Sequence, residues 1–181
     1  MVPETPPEAT EHGLVPGGEG WFVLDAHEAA WRHREGRGES LRFGGEADFP
    51  QMAINLYRLG PREPIGMYHW EANQEDFLVL SGEGLLLVEG EERPLRQWDF
   101  VHCPAGTKHI ILGAGDGPCA VLAMGARGNE GDGDWGGYTV DETALRRGAG
   151  VERETNDAAE AYARFPASRP TPYRDGGLPG P

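Results

Sequence analysis

Four side chains that can coordinate a metal ion lie in two separate stretches of the sequence, with His69, Glu71 and Glu75 in the first and His109 in the second. His69 and Glu71 are two residues apart on a predicted strand, so their side chains leave the same face. Glu75 opens the next predicted strand after a bend, and His109 begins another strand after a Pro-x-Gly turn. Imidazole together with carboxylate suits Mn, Fe, Co, Ni or Zn, whereas the lack of thiolate in this set argues against a structural zinc site of the cysteine type.

Short strand candidates surround these four residues and must position them. Between residues 51 and 125 the candidates follow one another with Gly-rich turns between them, and no helical period of useful length interrupts them. This pattern excludes a βαβ architecture and predicts an all-β sandwich or barrel. The predicted strands are Gln51–Leu59, Ile65–Trp70, Asp76–Leu80, Gly84–Val88, Arg93–Leu95, Trp98–Cys103, His109–Leu112 and Cys119–Met124.

The two stretches resemble the two sequence motifs of the cupin superfamily, and the resemblance covers residues 51–125. It implies an all-β double-stranded β-helix (a jelly roll, the cupin barrel) with a metal ion inside. It also implies that His69, Glu75 and His109 are ligands of that ion. The matching residues are His69, Glu75 and Gly82 in the first motif, and Pro104, Gly106 and His109 in the second.

Three positions depart from the family pattern. Glu71 stands where the second His of the first motif usually lies, Trp98 where the second motif opens with Gly, and Gly113 where it closes with Asn. Glu71 therefore has two interpretations. As a metal ligand it completes a shell of two imidazoles and two carboxylates around a divalent ion, and as a non-ligand it is a catalytic general base beside the ion. The strand face that it shares with His69 favours the ligand.

Strand alternation also predicts which residues line the pocket beside the metal. Met67 shares a predicted strand face with His69, while Asn55 and Tyr57 lie together on one face of an earlier strand. His102 lies shortly before the Pro of the second motif. We therefore expect Met67, Tyr57, Asn55 and His102 to line a substrate pocket, an expectation that depends on the strand register.

Composition divides the chain into five segments. The two ends are rich in Pro and Gly without an apolar period and are predicted to be flexible tails. An arm next to the first tail packs on the barrel or is swapped with a second copy. The segments are the tail 1–20, the arm 21–50, the barrel core 51–125, a loop with short helices packed outside the barrel at 126–166, and the tail 167–181.

Local signals outside the barrel predict four short elements. In the arm, Trp21–Leu24 is a strand candidate, and Asp25 is placed to cap a brief helical turn. Beyond the barrel, Asp141 is placed to cap a helix that ends at Arg147, and a second helix is expected at Ala158–Arg164. Helices this short need the β-core for their stability.

The charge balance limits the classes of partner. The chain has 181 residues and a formal net charge of −14, from 16 Lys and Arg residues against 30 Asp and Glu residues. Such a chain repels nucleic-acid phosphates and anionic membrane surfaces, and it has no apolar stretch long enough to span a bilayer. Cys103 and Cys119 are its only cysteines, which suits a reducing cytoplasm, although one bridge between them stays open.

Three hypotheses about function follow from these residues. The first is an enzyme whose divalent transition metal (Mn, Fe, Ni or Zn) acts on a small oxygen-bearing organic molecule. For this, the cupin resemblance implies dioxygenase, decarboxylase or isomerase chemistry without choosing among them. The second is a non-catalytic module that binds a small ligand. The third is a structural barrel, and the resemblance further implies a homodimer.

Overall fold

The computed structural model describes residues 1–45, 49–128 and 135–179, and most of its regular structure is β-strand. Two short helices follow the barrel strands. The strands are β1 (Glu8–Thr10), β2 (Gly13–Val15), β3 (Ala30–Arg34), β4 (Gly38–Arg42), β5 (Met52–Leu59), β6 (His69–Glu71), β7 (Glu75–Ser81), β8 (Glu83–Val88), β9 (Glu91–Arg96), β10 (Phe100–Cys103), β11 (His109–Gly113), β12 (Cys119–Ala126), β13 (Gly136–Tyr138) and β14 (Arg169–Pro172). The helices are α1 (Glu142–Arg146) and α2 (Ala158–Ala161).

Two antiparallel sheets build the barrel. The seven-stranded sheet has the order β10-β7-β12-β5-β4-β3-β14, and the five-stranded sheet has the order β13-β6-β11-β8-β9. Neighbours in a sheet are often distant in the chain, as in the pairs β11–β6 and β12–β5. The predicted all-β double-stranded β-helix, with few and short helices, is confirmed.

A hydrophobic core fills the space between the two sheets. Strand alternation sends one face of each sheet inward. Phe77, Val79 and Val121 enter the core from the seven-stranded sheet, and Leu86 and Ile111 enter it from the five-stranded sheet; all five are buried. Their packing sets the distance between the sheets, and therefore between any polar groups that the two sheets contribute to one site.

The other face of the seven-stranded sheet carries a second hydrophobic cluster, which segments near the chain ends cover. Trp31 of β3, Leu41 of β4 and Leu56 of β5 are buried in this cluster. Tyr173 and Leu178 of the C-terminal segment pack against it. The C-terminal segment therefore closes the outer side of the barrel wall.

The two segments expected to be flexible tails, residues 1–20 and 167–181, both contain strands. In the first segment β1 pairs with β2, and in the second β14 pairs with β3 along its whole length. Pro170 and Pro172 lie within β14, which is the last strand of its sheet. Proline has no backbone N–H group and is tolerated in an edge strand, where one side of the strand needs no hydrogen bonds. The high proline content therefore did not prevent a strand here.

The arm, residues 21–50, contributes β3 and β4, which extend the seven-stranded sheet beyond β5. The strand expected at Trp21–Leu24 does not form, since only an isolated bridge occurs at Trp21. The element after Asp25 is a turn and not a helix. Its backbone N–H at His27 donates to Asp25 Oδ1 at 2.8 Å, a local bond that stabilises a turn without a helix.

Both helices beyond the barrel begin at aspartate caps. The backbone N–H of Ala144 in α1 donates to Asp141 Oδ1 at 2.7 Å, as expected, and Ala144 itself is buried in the barrel core. Gly148 follows the helix at a φ of 75°, the left-handed conformation that ends many helices. Asp157 caps α2, which is shorter than predicted. Residues 129–134 of the predicted loop segment lie outside the described residues.

We expect Gly82→Ala to destabilise the fold much more than Gly90→Ala. Both glycines adopt left-handed backbone, with φ of +73° at Gly82 and +81° at Gly90, so alanine is strained at either site. A Cβ at Gly82 would also collide with the carbonyl oxygen of Pro118, whereas nothing lies within 4 Å of a Cβ at Gly90. Urea unfolding should show an additional loss of about 1–3 kcal/mol for Gly82→Ala. Equal losses in the two variants would contradict this account of the turn.

Candidate metal centre

Two histidine rings lie side by side on neighbouring strands of the five-stranded sheet. His69 of β6 and His109 of β11 are directly opposite each other in the antiparallel register, and their ring centroids are 5.1 Å apart. Residues directly opposite in such a pair leave the same face of the sheet. The ring of His109 lies against Phe77 of the other sheet at 5.4 Å, which places this face inside the barrel.

Backbone carbonyl groups orient both imidazoles. His69 Nδ1 lies 2.8 Å from the carbonyl oxygen of Met67, and His109 Nδ1 lies 2.9 Å from the carbonyl oxygen of Thr107. A carbonyl oxygen can only accept a hydrogen bond, so each Nδ1 carries the proton and donates. Each neutral ring then directs the lone pair of its Nε2 into the barrel, which is the orientation of a metal-ligating histidine.

Glu75 reaches the two imidazoles from the opposite sheet. It is the first residue of β7, and its Oε2 lies 3.3 Å from His69 Nε2 and 3.2 Å from His109 Nε2. One ligand atom from each of the three residues lies within 4.8 Å of the other two. The structure therefore brings together three of the four predicted ligands.

These three residues fit a divalent cation. Glu75 Oε2 and His109 Nε2 are buried without a hydrogen-bond partner, a costly arrangement for polar atoms. An imidazole lone pair and a carboxylate oxygen repel each other unless a proton or a cation lies between them. Ligand atoms bound at about 2.1 Å to one ion lie about 3.0–3.4 Å from each other. The observed separations of 3.2 and 3.3 Å agree with that range.

In the metal-free cluster, protons can take the place of the cation. Burial disfavours the charged form of His69, but the adjacent carboxylates of Glu71 and Glu75 outweigh it and raise the pKa of His69 well above 6.5. Burial likewise opposes charge on His109, yet the Cys103 thiol and Glu75 raise its pKa to about 9. Burial would raise the pKa of Glu75, but both histidines together lower it to about 2. The carboxylate is thus held ionised and ready to bind a cation.

Glu71 lies beside this cluster and not within it. Its Oε1 is 3.6 Å from His69 Nε2, and the three-residue ligand cluster does not include it. Its side chain is 28% exposed, against 15% for Glu75. Glu71 therefore stands on the more open side of the cluster, where both interpretations, ligand and general base, remain compatible with its position.

Asn55 and Tyr57 lie on the inner face of the seven-stranded sheet, the face that carries Glu75. In the strand register Asn55 aligns across β12 with Phe77 of β7, and Tyr57 aligns across it with Val79. Burial raises the pKa of Tyr57 to about 12. Both side chains are placed to contact a molecule that enters the barrel.

Two other pocket expectations are corrected. Residues 65–68 are irregular and β6 begins only at His69, so strand alternation does not extend back to Met67. The Met67 side chain is buried in a hydrophobic cluster with Tyr138, Val151 and Ala161. His102 lies on the outer face of its strand because its neighbours point inward. It pairs there with Asp76, its Nδ1 lying 2.6 Å from Asp76 Oδ1.

Aromatic residues near the cluster were missed by the sequence analysis. Trp135 and Tyr138 lie 6.2 and 6.0 Å from His69 between ring centroids. Tyr162 lies 5.5 Å from Tyr138, and the guanidinium of Arg37 stacks over the Tyr162 ring at 4.3 Å. The only signal was the aromatic content of the Trp-Gly-Gly-Tyr stretch, which follows an acidic Gly-rich run and shows no strand period.

The two cysteines do not form a disulfide bond. Cys103 and Cys119 are both buried, and both are free thiols. Burial raises the pKa of Cys119 to about 11, which makes this thiol unreactive at neutral pH. Among the described residues, no helix is long and apolar enough to cross a membrane.

Residues 55–125 match the cupin domain family. The chain contains a cupin domain. The candidate ligands His69, Glu75 and His109 all lie within the matched residues, so the recognised motifs and the observed cluster coincide. No curated protein sequence matches the chain significantly.

Solved cupin structures resemble about half of the chain. A sugar phosphate isomerase of the cupin superfamily from Silicibacter pomeroyi is 30% identical, with a TM-score of 0.45, over 50% of this chain and 59% of that one. A cupin protein from Bacteroides fragilis is 20% identical, with a TM-score of 0.45, over 50% and 77%. A DMSP lyase from Ruegeria pomeroyi is 23% identical, with a TM-score of 0.43, over 50% and 47%. The chain thus spans less than two thirds of the length of the isomerase.

We expect the stability of the metal-free protein to fall as the pH rises from 6.5 towards 9. The pKa of His109 is raised from 6.5 to about 9 in the folded state. The contribution of the protonated imidazole to folding stability is therefore complete below pH 6.5 and is lost as the pH rises through 9. The ionised carboxylate of Glu75 has the opposite pH dependence. Its contribution to folding stability is present above pH 4.5 and is lost only as the pH falls from 4.5 through about 2. Urea unfolding with a chelator present should show a decrease of roughly 1–3 kcal/mol over the upper window.

Added metal should abolish this decrease, because the cation replaces the protons and its affinity rises as the histidines deprotonate. The His102→Gln variant is the matched control and should retain both behaviours, since His102 lies on the outer face. A metal-free protein with constant stability between these pH values would contradict the protonated cluster.

Proposed function

We propose that the protein binds one divalent transition-metal ion through His69, Glu75 and His109 and acts as an enzyme on a small oxygen-bearing organic molecule. The observation that carries the proposal is the close approach of His109 Nε2 and Glu75 Oε2, 3.2 Å apart and buried without hydrogen-bond partners. A structural role alone does not explain why two sheets direct such groups at one another. A buried imidazole and a carboxylate that need a proton or a cation between them are characteristic of sites where a metal ion completes the coordination.

The donor set supports Fe or Mn among the candidate metals Mn, Fe, Ni and Zn. Two imidazoles and one carboxylate with further positions open are typical of non-haem Fe(II) sites, and hard carboxylate oxygen also suits Mn. A metal ion bound there would supply a Lewis acid for an oxygen atom of the substrate. Dioxygenase, decarboxylase and isomerase chemistries are all compatible with this role.

Glu71 is the residue to which we assign proton transfer. Its Oε1 lies 3.6 Å from His69 Nε2, and its carboxylate is the more exposed of the two beside the imidazoles. A partly exposed carboxylate can accept a proton from a bound molecule and release it to water, which a buried ligand such as Glu75 cannot do. The alternative is that Glu71 is a fourth metal ligand. The Glu71→Gln variant distinguishes between this alternative and proton transfer.

Metal content tests the binding site. We expect the untagged chain to carry one metal ion, measured by elemental analysis, and His109→Gln and Glu75→Gln to lose it. His102→Gln is the matched control, because it removes an imidazole that lies on the outer face and should keep the metal. A protein that folds without bound metal, and whose stability a chelator leaves unchanged, would contradict the proposal.

Glu71→Gln separates the two roles of this residue. If Glu71 transfers a proton, the variant keeps its metal and loses turnover by about 10²–10⁴-fold. If Glu71 is a ligand, the metal is lost together with turnover. Turnover is sought by screening the metal-loaded protein against small acids and sugar derivatives, and Glu91→Gln, an exposed carboxylate in β9, is the control. Saturable binding without turnover would favour the alternative of a non-catalytic ligand-binding module.

Compartment and assembly belong to the same proposal. The free buried thiols of Cys103 and Cys119 support a reducing compartment, for which the cytoplasm is the simplest assignment. Trp98 and Phe100 are large exposed apolar side chains at the edge strand β10, and they support a homodimer. The acidic net charge of −14 supports a small-molecule ligand over nucleic acid or an anionic membrane.

A further inference from the structure

A small basic cavity opens on the inner face of the seven-stranded sheet. It has a volume of about 220 Å³ and is lined by Arg32, Arg34, Arg37 and Arg42, with neutral donors from Ser40 and Tyr57 between them. Whole small-molecule sites usually measure about 300–1,000 Å³. The cavity therefore has the size for one functional group and a few neighbouring atoms.

Three of the four arginines of this cavity are not paired with acidic side chains of the described residues, while Arg42 makes an interaction of its own. Within residues 1–45, 49–128 and 135–179, no carboxylate lies within 4.0 Å of the guanidinium groups of Arg32, Arg34 or Arg37. Arg37 Nε is buried and has no hydrogen-bond partner. Burial and the positive charges of Arg37 and Arg32 lower the pKa of Arg34. Such a group of guanidinium donors is complementary to an oxyanion.

Strand register places this cavity on the same surface as the metal cluster. Arg32 aligns through Ser40 with Tyr57, and Arg42 aligns with Asn55, so all of them share the face that carries Glu75. Neighbouring strands are about 4.8 Å apart, so β5, whose Tyr57 lines the cavity, lies about 10 Å from the strand of Glu75, and β3, which carries Arg32 and Arg34, lies about 19 Å from it. A molecule that contacts both the metal centre and these guanidinium groups must span a separation in that range.

Small side chains lie on this face of the sheet between β5 and Glu75. Ala53 of β5 and Gly125 of β12 align with Glu75 of β7, and Ala123 lies beside them on the same face. A chain of ring contacts also relates the two sites, because Arg37 stacks on Tyr162, which contacts Tyr138, which contacts His69. The arginine cavity and Glu75 therefore lie on the same face of the seven-stranded sheet, and the cavity is close to the histidines as well.

We infer that the arginine cavity binds an oxyanion, a phosphate or carboxylate group, of the molecule whose other end lies at the metal centre. The part of this inference that places the rest of the molecule rests on the proposed function, whereas binding of the anion itself does not. Guanidinium groups provide planar pairs of N–H donors, which match either oxyanion, and the hydroxyl groups of Ser40 and Tyr57 add neutral donors. The substrate class is thus a small organic anion.

Calorimetric titration of the metal-loaded full chain with inorganic phosphate, and in parallel with acetate, tests the inference at low ionic strength. We expect Arg34→Gln to weaken anion binding about tenfold to a hundredfold, and Arg93→Gln, an exposed arginine in β9, to leave it unchanged. Arg37 also contacts the Ile65 carbonyl and the Tyr162 ring. A neutral residue at position 37 would also remove these structural contacts. Arg37→Lys, which keeps the positive charge, is therefore measured as a second variant beside Arg34→Gln. Tighter phosphate binding assigns a phosphate group, and tighter acetate binding assigns a carboxylate.

Glu75→Gln separates this inference from the proposed metal site. Anion binding that persists in this variant after the metal is lost supports the arginine cavity as an independent site. Anion binding that disappears with the metal, or that is unaffected by Arg34→Gln, overturns the inference and leaves the metal site in place. Anion binding in a chain that never holds metal supports the cavity and overturns the proposed function instead.

Discussion

The buried contact between His109 Nε2 and Glu75 Oε2 is the constraint on which the interpretation of this barrel depends. The two atoms are 3.2 Å apart, without a hydrogen bond, and the carbonyl groups behind the imidazoles fix the lone pairs towards the carboxylate. Such a contact is unfavourable until a positive charge lies between the atoms. Protons supply that charge in the metal-free cluster, and a divalent ion would supply it more completely. Under the proposed function, protons and metal ions therefore compete for the same place, and the pH decides the balance.

This constraint involves both sheets. The five-stranded sheet supplies His69 and His109 on adjacent strands, where one backbone register fixes their separation. The seven-stranded sheet supplies Glu75, whose distance from the histidines is set only by the hydrophobic core between the sheets. Because aligned sheets pack about 10 Å apart, side chains such as Phe77, which also contacts the His109 ring, act as spacers for the ligand set. Core packing and the geometry of the candidate metal centre are therefore coupled in this barrel.

The sequence was most informative where strand alternation and fixed spacing act together. His69, Glu75 and His109 could be assigned because each lies on a strand or at its start, and alternation also gave the shared face of Asn55 and Tyr57. Met67 was misplaced because β6 begins after it. The opposite face of His102 follows from its position between Val101 and Cys103, which both point inward. Tyr138, Tyr162 and Arg37 could not be found, because long-range packing and not a local period brings them to the cluster.

The arginine cavity shows that net charge, although it bears on the class of partner, does not indicate the charge of a small ligand. The chain as a whole has a formal charge of −14, yet four of its arginines converge on about 220 Å³ of the inner face. Interactions between exposed charges are largely screened beyond about 8 Å at physiological ionic strength, so acidic groups farther away than that contribute little to the potential at the guanidinium groups of the cavity. Long-range attraction does not bring an anion to such a protein. Discrimination between anions must come from contact with the guanidinium groups. A ligand that pairs with these groups while its oxygen atom reaches the His69–His109 pair is then selected by its length as well as by its charge.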